Sequence, residues 1–182
     1  MLENRAFIFR LVSVAAVIMV SLATLCAQPK SIGANFSVTG LAACYEHYQG
    51  KGDSFVELTL KAEMSEMVPG RTDVPGVSCS FTWNIELMEW LSVNGNRLTL
   101  FAGPGVIAGL GHDFKGPYGF FGGLKGRVGV ECAFERKITI SAFVSPVIGS
   151  HFELNGEGLL MKLYKNGVIY GLMPEISIKY RF

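Results

Sequence analysis

The stretch PEISIKYRF, residues 174–182, sets Ile176, Ile178, Tyr180 and Phe182 on one parity and Glu175, Ser177, Lys179 and Arg181 on the other. A period of two with chemically distinct faces marks a strand whose two sides meet different surroundings. An edge strand of a soluble sheet has the same look. The meaning of this stretch therefore depends on whether the chain repeats it and on which face is kept cleaner.

The chain repeats it. Residues 54–64 put Val56, Leu58, Leu60 and Ala62 against Glu57, Thr59, Lys61 and Glu63. Residues 77–91 put Val77, Cys79, Phe81, Trp83, Ile85 and Leu87 against Ser78, Ser80, Thr82, Asn84 and Glu86. Alternation recurs over 98–110, 120–135 and 138–148, and two less regular strands are expected at 31–37 and 42–48, which makes eight with the closing one. No segment of the mature chain sustains a helical period. Links at 49–53, 92–96 and 136–137 are short, and Asn94-Gly95 is a strong hairpin signal because both residues tolerate positive φ. Links at 68–76, 111–119 and 149–170 are longer, and the one at 38–41 is brief. An up-and-down meander turns this alternation into a rim of short turns, which also carries both chain ends, and a rim of longer loops. The last link holds a further hairpin candidate around 159–167.

Composition agrees with such a chain. Its 182 residues suffice for one domain, and 49% are hydrophobic. Mean hydropathy is +0.35. Only 17% of residues are charged, against about 25% in an average globular domain. A net charge of +1 gives no broad electrostatic case for nucleic acid. At the N-terminus, Arg5 and Arg10 flank the start of an apolar run over 11–25, and Cys26-Ala27 precedes Gln28-Pro29-Lys30. That is the layout of a secretory signal peptide, 1–27, cleaved after Ala27 to leave a barrel over 28–182. The run falls short of the about 20 apolar residues of a membrane-spanning helix, and Leu25 is larger than lipidation at Cys26 prefers. Cys44, Cys79 and Cys132 have neither the count of a disulfide framework nor metal spacing with a histidine, so they read as small apolar fillers.

The decisive matter is which face turns inward. A soluble barrel buries its fatty face, and a membrane barrel turns it out. Across six strands the fatty parity carries no charge before Glu89. The polar parity holds Glu57, Glu63, Glu86, Glu131, Glu135 and Glu175, matched in number by Lys61, Arg97, Lys125, Arg127, Lys179 and Arg181. The interior of an eight-stranded barrel is just wide enough for side chains to fill. These charges are therefore expected to pair across the lumen, because an unpaired buried charge costs several kcal/mol. Gly103, Gly105, Gly109, Gly123 and Gly129, on the same parity, are expected to leave room for long charged side chains. The expected fold is an eight-stranded antiparallel up-and-down transmembrane β-barrel with a side-chain-filled lumen. The alternative is a soluble exported calyx-like barrel binding a lipophilic ligand, since solvated faces are often charge-balanced too. Pro104, Pro146 and Pro174 fall within these strands and are expected at bulges near the outer rim.

The closing strand ends with Tyr180 and Phe182, spaced by one, and Glu175 stands five residues before Tyr180. In these features the sequence resembles the bacterial small (eight-stranded) outer-membrane β-barrel family, with Ser177 where that family has glycine. The resemblance implies residence in a bacterial outer membrane, with lipid around the barrel. It implies that Tyr180 and Phe182 form a membrane-insertion signal recognised by the barrel assembly machinery. Trp90 would join them in an aromatic girdle at the short-turn rim. The implied role is structural or interactive at the cell surface, with a narrow channel as a further alternative.

Chemistry-bearing motifs are few. His112, Asp113 and Ser150 allow a triad on paper, and His151 adds a second histidine, but no nucleophile elbow accompanies them. Neither a phosphate loop nor a metal motif is present in the sequence, so no catalytic role and no cofactor are expected. Arg71, Asp73, His112, Asp113, Phe114 and Tyr118 lie on the longer links and are the candidate contacts for a surface ligand. His47, between Tyr45 and Tyr48 near a short turn, reads as interfacial packing.

Overall fold

The computed structural model describes residues 30–182 apart from 49–52, 68, 71, 73, 92–95, 115, 135–136 and 156–157. The expected leader, Arg71, Asp73 and Glu135 lie outside the described residues. The alternating segments form β1 (Lys30–Ser37), β2 (Gly40–Tyr48), β3 (Ser54–Glu63), β4 (Gly76–Leu91), β5 (Arg97–His112) and β6 (Tyr118–Phe134). They are followed by β7 (Ile138–Val144), β8 (Val147–Asn155), β9 (Gly158–Leu163), a short helix α1 (Lys165–Gly171) and β10 (Glu175–Arg181). Every pairing is antiparallel, and β10 closes on both β7 and β1. The ring is therefore a closed eight-stranded up-and-down barrel.

The count of eight survives because β7 and β8 are one barrel strand with a nick. Val144 pairs with Val128, and Val147 pairs with Lys125, so the register on β6 is unbroken across Ser145-Pro146. Proline has no N–H to give a ladder, and here its carbonyl accepts Gly126 N–H at 2.9 Å. The expected single strand 138–148 is thus interrupted and also longer. Pro104 acts more mildly: the β4–β5 ladder skips the pairs opposite it, between Thr82↔Gly105 and Ile85↔Ala102, without changing register. Pro174 sits just before β10.

The other partner of this nicked strand changes at the break. Below it β7 pairs with β10, and above it β8 pairs with β9. The expected 149–170 loop is therefore mostly a hairpin followed by α1. The helix has no period long enough to detect: it is seven residues, two of them glycine. The loop expected at 111–119 also shrinks, because β5 runs to His112 and β6 starts at Tyr118. The brief β1–β2 turn is possible because Gly40 takes φ 145°, where a side chain would be strained.

Following one hydrogen-bonded row around the wall gives the shear. Tyr180 pairs with Ile32, then Tyr45, Leu58, Phe81, Val106, Leu124 and Ile148. The row returns to the seventh strand ten residues above Ile138, the residue on which Tyr180 also pairs. For eight strands spaced about 4.8 Å apart this shear gives a tilt of about 40°.

The barrel is inside-out relative to a soluble protein. Ile32, Phe81, Trp83, Val106, Leu124, Val128, Ile140, Ile148, Ile176 and Ile178 are exposed, as are Tyr180, Phe182 and Trp90. Glu46, Glu57, Asn84, Thr99, Arg127, Glu131, Ser141, Ser177 and Lys179 are buried. Glu89, the one charge on the fatty parity in sequence, is explained by a bulge. The β4–β5 register shifts between Glu86 and Met88, so that Glu89 pairs opposite the buried Thr99, and Trp90 pairs opposite the exposed Leu98. One extra residue reverses the faces below that point, which takes Glu89 off the fatty face and puts Trp90 onto it.

Candidate functional site

The lumen divides into two levels. On the short-turn side, Lys179 Nζ of β10 lies 2.9 Å from Glu46, 3.1 Å from Glu131 and 3.5 Å from Glu57. Arg127 of β6 contacts Glu57 at 2.5 Å, and Arg181 contacts Glu131 at 3.7 Å. Three acids thus face three bases. Neutral groups add to the shell: Tyr48 Oη donates to Glu131 at 2.9 Å and accepts from Arg181 at 2.5 Å, while Asn35 and Thr59 donate to Glu57 at 3.3 and 3.0 Å. Aromatic faces shield the cations. The Arg127 guanidinium is 3.7 Å from the Phe143 ring centre, and Phe55 and Phe101 meet edge to face beside it. Such faces favour a cation through their quadrupole. Gly129 is needed here for close approach, because a Cβ would lie 2.4 Å from Phe143 Cβ. This differs from the expectation that lumenal glycines make room for arginine and glutamate: this one seats an aromatic ring.

The expected charges do not all join one network. Glu57, Arg127, Glu131, Lys179 and Arg181 come together, with Glu46 added. Glu86 and Arg97 pair at the short-turn rim, where Arg97 Nε also reaches Glu89 at 3.0 Å. Lys61 and Glu63 pair at 3.6 Å higher in the lumen. Lys125 and Glu175 have no ion pair among the described residues, contrary to expectation. Lys125 donates to Ser80 at 3.0 Å, and Glu175 accepts from Ser145. Glu46 was missed because β2 shows only Ala42 and Cys44 beside it on that parity, which does not look polar. Its register opposite Glu57 and Ser31 is what places it inside. Tyr48, named from sequence only as a neighbour of His47, is likewise a lumenal residue.

Above this ionic cluster, α1 covers the lumen. Tyr164 stacks on Phe121 with ring centres 4.3 Å apart. Asn166 and Gly167 are buried, whereas Val168, Ile169 and Leu172 are exposed. Asp113 holds the helix start: its carboxylate accepts the N–H of Lys165 at 3.2 Å and of Asn166 at 2.9 Å. The Asn166 amide donates to Ser65 at 3.3 Å and to His112 O at 3.1 Å. Asp113 is therefore a buried internal clamp, which corrects its reading as a surface contact. His112 is also engaged inside the molecule, through Thr72 at 3.2 Å and Gly116 O at 3.1 Å, with Tyr118 edge-on to its ring. Phe114 and Tyr118 are exposed. Ser150 pairs across to Leu163 on β9, so its neighbours differ from those of His112 and Asp113. His151 is fully buried and bonded to Gly111 O at 3.1 Å.

No protein-family model matches the chain, and no curated protein matches it. Among solved structures, the crystal structure of the N-terminal β-barrel domain of Pseudomonas aeruginosa OprF is similar. The TM-score is 0.45 and the identity 10%, over 85% of this chain and 96% of that one. The barrel stands on its own strand pairing, and nothing further is taken from that likeness.

Between the ionic cluster and α1 lies a cavity with about 40 Å³ of room for water. Its walls include Asn35, Lys61, Lys125, Glu175, Tyr164 and Asn166. The lumen is thus narrowed twice, by ion pairs below and by a helix above, with a partly open chamber of mixed polar and apolar lining between.

Proposed function

We propose that this chain is an integral outer-membrane β-barrel with a side-chain-filled lumen and a structural or surface-interaction role. The observation that carries the reading is the exposed belt of Ile, Val, Leu, Phe and Trp residues around a charged, buried interior. Isolated exposed apolar residues are ordinary, but a belt around the whole wall is far larger than the patches that soluble monomers carry. In hydrocarbon every backbone polar group must be bonded, and a closed ladder meets that demand. Trp90, Tyr180 and Phe182 lie at the rim of short turns, where an aromatic girdle would meet the lipid interface.

In this reading residues 1–27 direct export and are removed, and the closing strand with Tyr180 and Phe182 is recognised by the barrel assembly machinery. The chain is not a catalyst. Its contacts with an unidentified surface ligand are made by the longer loops, with Arg71, Asp73, Phe114 and Tyr118 as the contact residues. A lipophilic ligand would need an open oily interior, and the described interior is filled by buried ion pairs and by aromatic rings packed against them, which supports the membrane reading over a calyx. The test is fractionation of the expressing cell together with proteolysis at the loop around Arg71 on intact cells. Outer-membrane recovery, surface cleavage and slower or faster gel migration without heating are the expected results. Recovery of the mature chain in the soluble periplasmic fraction would overturn the reading.

A further inference from the structure

The ionic cluster pairs its charges at contact distance, whereas in the chamber above it Lys125 and Glu175 attract one another only from a distance. Lys125 and Glu175 both face this chamber, and among the described residues neither has an opposite charge within ion-pair distance. Each is met by one neutral hydroxyl, from Ser80 and Ser145 respectively. Two further acceptors are left open on the same walls. Asn35 Oδ1 and Asn166 Oδ1 have no hydrogen-bond partner, in residues only 4% and 3% exposed. A buried polar atom without a partner is destabilising, so several such atoms around one space call for an occupant.

We propose that this chamber is a binding compartment for a small zwitterion, an ammonium and a carboxylate joined by a few carbons, with α1 as its lid. The carboxylate meets Lys125 and Ser80. The ammonium meets Glu175 and the open amide oxygens of Asn35 and Asn166. A charge-assisted bond at each end is about twice as strong as a neutral one, and neither a simple anion nor a simple cation satisfies both ends. A water needs about 10–15 Å³ by this measure, so the chamber as it stands holds about three water-sized groups; the smallest amino acid, glycine, is larger than that and is admitted as α1 shifts, whereas a lipid tail is not. Entry is from the side of α1, which bounds the chamber outside the ladder together with the turn residues Thr39 and Ser65. Lys165 and Asn166 backbone bonds to Asp113, the Asn166 amide bonds to Ser65 and His112, and, at the far end of the helix, the bond from Ser145 N–H to Gly171 O at 2.8 Å are the contacts that hold the lid. The proposal depends on the lumen geometry and not on the lipid assignment.

The test is calorimetric titration of the folded chain in detergent with glycine, β-alanine and γ-aminobutyrate, which separate the two charges by increasing lengths. Acetate and methylammonium serve as half-ligands. One of the three amino acids is expected to bind saturably, with both half-ligands at least tenfold weaker. Lys125→Met and Glu175→Gln, checked for folding by heat-dependent gel migration, are each expected to weaken it tenfold or more. Asp113→Asn is expected to speed association by loosening the lid. Absence of saturable binding for all three probes would overturn the proposal and leave the chamber simply hydrated. Binding unchanged in both charge variants would do the same. Should either variant fail to fold, the comparison of whole and half-ligands on the natural chain decides alone.

Discussion

The two levels of the lumen use the same residue types to opposite ends. Around Lys179, three carboxylates and three cations meet at 2.5–3.7 Å, backed by Phe55, Phe101 and Phe143. Around Lys125, single hydroxyls stand where counter-charges would, and the space is open to water. The difference follows from the elements that supply each level. The lower one is walled on all sides by ladder strands, whose register holds side chains in fixed apposition. The upper one borrows part of its boundary from α1, which is held by a few polar contacts to loops. Paired charges in a fixed ring make a plug; unpaired charges under a removable helix make a chamber.

That contrast is open to direct attack. Lys179→Met removes the common partner of Glu46, Glu57 and Glu131, and breaking a buried pair by losing one side costs about 3–5 kcal/mol. Lys125→Met breaks no ion pair at contact distance, so its effect on urea unfolding is expected to be clearly smaller than that of Lys179→Met. Equal losses in the two variants would erase the distinction between plug and chamber. Next in size is Val128→Arg on the exposed face of β6. It should cost about 2–4 kcal/mol in lipid vesicles, and a neutral result would reverse the assignment of faces on which both levels depend. Asp113→Ala leaves two helix N–H groups without acceptors and should cost about 1–3 kcal/mol. Faster hydrogen exchange is expected over 164–171 while the amides of β10 stay protected; exchange rising equally in both would show that lid and plug open together. The smallest effect is at the rim. Glu89→Gln weakens a pair with Arg97 that water already screens, so the expected change is about 0–1 kcal/mol, read by the same unfolding curves.

Some of this could be read directly along the chain. The faces of β3, β4, β6 and β10 were legible because alternation is a property of neighbouring residues, and the pleat converts parity into side without reference to the rest of the molecule. The closing pairs of β10 with β1 and β7 are what turned that parity into a ring. The site was legible only in part. Glu57, Arg127, Glu131, Lys179 and Arg181 could be placed inside, but their partners could not, because who meets whom depends on a shear accumulated across eight strands. Glu46 and Tyr48 were obscured by small apolar neighbours, and Asp113 by its position in a link that looked like an exposed loop. The helix at Lys165–Gly171 gave no periodic signal, being too short to show a face.

Parity, then, is what the sequence by itself determined: which residues share a face, with the oily ones on one side and the charged ones on the other; that the oily face looks outward is read from the exposure of its side chains in the closed barrel. The tertiary structure alone decided where parity fails and what it brings together. A single extra residue between Glu86 and Met88 sent Glu89 inward and Trp90 outward. The ten-residue shear aligned Lys179 with three acids from three other strands. The physical reason is one of range: alternation is fixed by adjacent peptide units, whereas bulges, shear and the seating of α1 are settled by strands far apart in the chain closing on one another.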